Sequence, residues 1–225
     1  MHRLVMFTVV AVMSIYVFSP RALADDRESC DDADEHDIAA CSRLIARNPK
    51  DIVALVNRGD AYSEDGRYDR AIVDYSEAIR LDPKNAVTLV KRGDAYIEKF
   101  DYQSAITDYS DAIRLDPKNA AAIYKRANAY SGKGEYDPAI ADYSDLIRLD
   151  PKNAILFLNR GYAYSEKGEY DRAIADYSEA IRLDVKFSLA YTYRAEAYAK
   201  KGDYDRANAD LREAKRRLGP AGRSP

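Results

Sequence analysis

From Ile52 onward, apolar and polar residues follow a helical period in paired segments, and the pair returns every 34 residues. The second segment of each pair shows this most plainly. The stretch from Asp74 to Asn85 comes back as Asp108 to Asn119, as Asp142 to Asn153, and as Asp176 to Phe187, the last with Val185 and Phe187 where Pro and Asn stood. A fixed period of this length means helical hairpins stacked on one another. Counted from Ile52 the units are 52–85, 86–119, 120–153, 154–187 and 188–221.

Each boundary has a chemical cause. The first helix of the first unit is expected over about 52 to 65 and closes on Gly66; its counterparts close on Gly134, Gly168 and Gly202, where glycine supplies a left-handed cap. The second unit has Phe100 at that place, so its turn needs strain or another geometry. The second helix begins near Asp69, and Pro138 fits a first helical turn. It stops before Pro83, Pro117 and Pro151, and Asn85, Asn119 and Asn153 are placed to cap the next helix. The pattern predicts an all-α solenoid of antiparallel helix pairs. Residues 34–49 carry it in worn form, since Ala40 to Ile45 align with Asp74 to Ile79. They are read as a lone second helix, a half-repeat that caps the stack.

At this point the array resembles the tetratricopeptide repeat family. Gly59, Gly93, Gly161, Ala127 and Ala195 match the close-packing position, and Tyr62, Tyr96, Tyr130, Tyr164 and Tyr198 the aromatic of the first helix. Ala71, Ala105, Ala139, Ala173 and Ala207 match the residue where the helices cross, and Tyr75, Tyr109, Tyr143 and Tyr177 the large aromatic of the second helix. Leu146 departs from the second small position held by Ala78, Ala112 and Ala180, and Leu211 replaces the last aromatic. Where the family usually has leucine, this chain has Arg58, Arg92, Arg126, Arg160 and Arg194, each followed sixteen residues later by Asp74, Asp108, Asp142, Asp176 or Asp210. That pairing is expected to be a ladder of structural ion pairs; the rival reading is an anion-binding stripe.

The resemblance implies a protein-binding scaffold whose first helices line a concave groove. It maps that groove onto Val53, Val56, Asp60, Val87, Val90, Asp94, Ile97, Ala121, Tyr124, Asn128, Ile155, Leu158, Tyr162, Leu189, Thr192 and Glu196. Apolar residues followed by acids one turn on suggest a greasy trough with an acidic side, extended by Glu64, Glu98 and Glu166, suited to a peptide or helix with apolar anchors. The Lys, Asn and Arg set with which some family members clamp a terminal carboxylate is not present in three adjacent units, so chaperone-tail binding is not expected. The alternative is a self-associating protein whose groove or ends mate with another copy.

The first 24 residues read differently. His2 and Arg3 precede an apolar run from Leu4 to Phe18, and Ala22-Leu23-Ala24 suits signal peptidase, which predicts cleavage before Asp25. An uncleaved anchor is the alternative, though the run is short for a hydrocarbon core of ~30 Å. Export, to a periplasm or beyond, favours pairing Cys30 with Cys41, the only cysteines; two separate buried thiols are the alternative. The expected order is a signal peptide (1–24), a strap and capping helix (25–51), five repeats (52–218) and a frayed tail (219–225).

Charge then narrows the function classes. Net charge is −3, or −5 without the first 24 residues (33 basic against 38 acidic), which argues against phosphate-neutralising nucleic-acid binding. Arg206, Arg212, Lys215, Arg216 and Arg217 make the last helix basic, as suits its C-terminus; contact with anionic lipid or nucleic acid is the sharper reading of that patch. The 19 tyrosines recur at fixed repeat positions and read as stacking residues. Only His36 lies beyond the leader, the acids Asp31, Asp32, Asp34 and Glu35 lack the glycine and spacing of a calcium loop, and no nucleophile set or Gly-rich phosphate loop is present. No cofactor, metal or catalytic residue is expected.

Overall fold

The structure is a computed structural model that describes residues 20–32 and 37–217. The apolar run of the expected leader, His36 and the tail lie outside those residues.

Twelve helices make up the described residues, joined in six antiparallel hairpins. They are α1 (Pro20–Asp31) with α2 (Ile38–Arg47), α3 (Ile52–Glu64) with α4 (Tyr68–Leu81), and α5 (Ala86–Glu98) with α6 (Tyr102–Leu115). Then follow α7 (Ala120–Lys133) with α8 (Tyr136–Leu149), α9 (Ala154–Glu166) with α10 (Tyr170–Leu183), and α11 (Ser188–Lys200) with α12 (Tyr204–Arg217). Each helix packs on its chain neighbours. First helices also approach the next first helix, at α3–α5 and α9–α11, with no comparable approach between second helices. The first helices therefore form the inner wall of an all-α solenoid.

The local chemistry acts as the sequence predicts. Asn85 and Asn119 accept from the backbone N–H three residues on, and Asn153 from that of Ile155. Gly66, Gly134, Gly168 and Gly202 all have positive φ. Phe100 makes the same turn with φ 58°, so this unit keeps the geometry and accepts the strain. Pro138 sits in the first turn of α8. Val185 and Phe187 do not shift the last junction: α10 still ends at Leu183, and Phe187 takes the cap position without a side-chain bond.

Packing is built on a crossing of small against large. Ala71, Ala105, Ala139 and Ala173 are fully buried, and Tyr75, Tyr109, Tyr143 and Tyr177 nearly so. A Cβ added at Gly59 would stand 2.6 Å from the Tyr75 ring, which is why the first helix can lie so close to the second.

All five Arg–Asp pairs form. In each, Nε and Nη2 of the arginine donate to the two carboxylate oxygens at 2.7–2.8 Å. The remaining nitrogen, Nη1, donates at 2.9–3.2 Å to a serine of the preceding unit: Ser42, Ser76, Ser110, Ser144 or Ser178. One guanidinium thus ties three helices together, and its fork is occupied by protein where the rival reading needed it open. Hydrogen bonding to Asp108 holds the Arg92 guanidinium above its usual pKa, against the opposing effect of burial.

The N-terminal end differs from expectation. The capping helix α2 is not alone, because the strap before it is the helix α1. It occupies nearly the span one period before α3, with another face turned inward, so α1 and α2 form a sixth hairpin. Cys30 in α1 and Cys41 in α2 are joined in a disulfide. Asp26 of α1 accepts from Arg43 and Arg47 at 2.7 and 2.8 Å, Arg27 pairs with Asp51, and Asn57 donates to the Cys30 carbonyl at 3.0 Å.

Candidate functional site

The inner wall presents the ninth residue of each first helix towards the sixth residue of the next. Asp60 meets Lys91, and Asp94 meets Lys125, whose Nζ lies 2.9 Å from Oδ1. Tyr162 and Tyr193 occupy the same two places further along, with ring centroids 6.0 Å apart. Between them Asn128 accepts from the Tyr143 hydroxyl at 2.6 Å, and Asn159 donates to the Tyr124 hydroxyl at 3.0 Å. The wall changes from ion pairs through amides to paired, tilted rings.

For Asp60 and Asp94 this corrects the expected acidic side. Asp60 and Asp94 are half-buried and bonded on two sides, since the Tyr75 and Tyr109 hydroxyls donate to them at 2.7 Å. Burial, and then the bond to Asp60, push the Tyr75 hydroxyl far above its ordinary pKa, so it remains a donor. Glu64, Glu98, Glu166 and Glu196 stay exposed. Lys91, Lys125, Asn159 and Tyr193 belong to this wall but were not among the residues expected from sequence. Their signal was available: Lys91 follows Val87 by four residues and precedes Asp94 by three, which is one helix face.

The expected apolar residues divide. Val53, Val87, Ile155, Tyr162 and Leu189 are exposed, as are Ala121 and Asn128, while Val56, Val90, Ile97, Tyr124 and Thr192 are half-buried. Leu158 is not available to a partner. It is 5% exposed and packs with Tyr177, Ala190, Ala197 and the half-buried Tyr193. The large Tyr193, where other units have Asn or Lys, covers it.

Three depressions follow the inner wall and its edge. The first, about 560 Å³, has Asp31, Asn57, Asp60 and Lys91 in its lining, and the second, about 380 Å³, has Asp94, Tyr109, Lys125 and Asn128. The third, about 410 Å³, is apolar and lies between the third and fourth of the five sequence repeats, against Ala121, Tyr124, Leu146, Leu149, Ile155 and Leu156. It exists because Ala121 is small where Val53, Val87, Ile155 and Leu189 stand in the other units. Leu149 is left 67% exposed at its rim. Among the described residues no group of three or more His, Cys, Asp or Glu could hold a metal ion, and no helix is long and apolar enough to cross a membrane.

Family models described as TPR repeat match residues 59–99 and 93–134, and models described as tetratricopeptide repeat match 124–184, 158–222 and 40–73. Comparison with curated protein sequences gave no match. Among solved structures, one of MamA protein is similar at 27% identity and TM-score 0.70, covering 77% of this chain and 98% of its own. Another MamA structure shows 30% identity and TM-score 0.67, covering 71% and 94%. YrrB, described as a TPR protein with an unusual peptide-binding site, shows 19% identity and TM-score 0.67 over 82% and 95%, a likeness of fold. With 34-residue hairpins, glycine and alanine crossings and matching models from residue 40 to 222, the chain belongs to the tetratricopeptide repeat family.

Proposed function

We propose that this protein is a non-enzymatic interaction scaffold that holds an extended or helical peptide segment in its inner groove. The observation that carries the reading is the apolar depression at Ala121, open beside exposed Leu149 and Ile155 and continuous along α7 with the charged wall at Lys125. A large apolar side chain of the guest would fill it, while Lys125, Asp94 and the edge glutamates select the polar residues that follow. The YrrB description supports groove binding in a protein of this fold.

The proposal extends to export into the cell envelope or beyond. The charged, apolar and small-residue order of the first 24 residues supports it, as does the Cys30–Cys41 bridge. Residues 21–25 are all exposed and Asp26 is the first buried side chain of α1, so cleavage before Asp25 would remove no buried side chain among residues 21–24.

Peptide display against the purified protein tests the groove. Selected peptides are expected to share a large apolar anchor and to lose at least tenfold in affinity for Ala121→Trp, which fills the depression, and for Ile155→Glu. Equal affinity for all three forms would overturn the reading. Mass spectrometry of the N-terminus of exported protein tests the cleavage before Asp25.

A further inference from the structure

A solenoid has two open ends, and here they carry matching departures from the rule that joins the interior. At every internal junction the second helix offers a serine and the next first helix offers the arginine that donates to it. Carried one period outward, the serine place in α12 is Arg212, while α1, which buries Asp26 and Cys30 at the places of the less buried Asp60 and Glu64, is turned out of the array's register and offers no arginine. The cation has changed sides. In place of an arginine, α1 leaves the carboxylates of Asp25 and Glu28 exposed. On α12, Lys215 stands where Ile79, Ile113, Ile147 and Ile181 occupy the interior junctions.

Asp25, Glu28, Arg212 and Lys215 are all exposed, and none makes an ion pair among the described residues. The wider charge agrees. Residues 25–37 carry eight carboxylates against one arginine. The helix α12 carries five basic side chains against three acidic ones, of which Asp210 is committed to Arg194. Cleavage before Asp25 would remove Ala24 and leave both carboxylates in place.

We propose that the α12 end of one copy docks on the α1 end of the next, with Arg212 and Lys215 facing Asp25 and Glu28. The two surfaces differ, so the contact is heterologous and generates an open chain of copies instead of a closed dimer. The interface uses exposed charges and is screened by salt. It leaves the groove free, so it stands or falls apart from peptide binding.

Sedimentation velocity over a range of concentrations tests it. At low salt the average mass is expected to rise without a plateau, and to fall back as salt is added. Arg212→Glu with Lys215→Glu blocks the tail, and Asp25→Lys with Glu28→Lys blocks the head; each variant alone stays monomeric. Mixed, they grow again as an alternating chain, because the acidic head of one accepts the basic tail of the other and the two reversed surfaces complement each other as well. All four substitutions in one chain restore growth. Circular dichroism melts matching the parent show that these surface changes leave the fold intact. A parent that is monomeric throughout, a plateau at twice the monomer mass, or a mixture that does not grow would overturn the proposal.

Discussion

The Arg92–Asp108 pair shows how much one residue holds. Asp108 is buried, accepts two bonds from Arg92, and through it fixes Ser76 of the preceding unit. Asp108→Ala leaves the guanidinium half-sequestered without its partner and should destabilise by roughly 3 kcal/mol, read from urea unfolding. Replacing both residues by leucine should recover most of that loss, because the cost lies in the unpaired charge. Phe100 is the opposite case. It is 76% exposed and held at positive φ, so Phe100→Gly should stabilise by about 1 kcal/mol in the same measurement. Both the pairing and the strain were legible in the sequence, since five arginines kept one spacing to five aspartates and a single unit lacked its glycine. The serine that completes each junction was visible too, sixteen residues before each arginine. Serine is common on helix surfaces, and only the third guanidinium nitrogen gives it a purpose.

At the scale of the element, α1 is where sequence and structure part. The tyrosine, glycine and arginine that mark the other first helices are absent, and the helix is turned so that Asp26 and Cys30 face inward instead of the counterparts of Arg58 and Gly59, so periodicity gave no signal there. Polar ties compensate. Asp26 has its pKa lowered: burial opposes this, and the bonds from Arg43 and Arg47 outweigh it. Asp51 is lowered in the same way by Arg27 and by its capping bonds to α3. Both carboxylates bind protons less readily folded than unfolded. Their contribution is therefore full above the unfolded value near 3.8 and is lost as pH falls through the lower folded values. With the disulfide reduced, acid should release α1 while α3–α12 stay helical. Proteolysis by an acid-active protease, followed by mass spectrometry, reads this as cleavage confined to residues before α2. Simultaneous loss of the whole array would contradict it.

For the whole molecule, stability in a repeat array is a sum over units and junctions, and end units have one junction fewer. Amide exchange should therefore be slowest in α5–α10 and faster in α12 and in α1–α2 after reduction; uniform protection along the chain would refute this. The architecture was readable because four of the five sequence units repeat the same small-against-large crossing. The groove was readable only in outline. Its lining falls at positions the packing does not fix, and which side chains meet across units depends on how far one hairpin turns relative to the next. That turn brings Lys91 onto Asp60 and lays Tyr193 over Leu158.

The rungs of that inner wall are unequal, and order follows from it. A linear guest would pass two charged rungs, then amides, then paired rings, so its forward and reversed placements differ in energy. The molecule has an intrinsic arrow, written by Asp60, Lys91, Asp94, Lys125, Tyr162 and Tyr193 on a backbone that is otherwise the same from unit to unit.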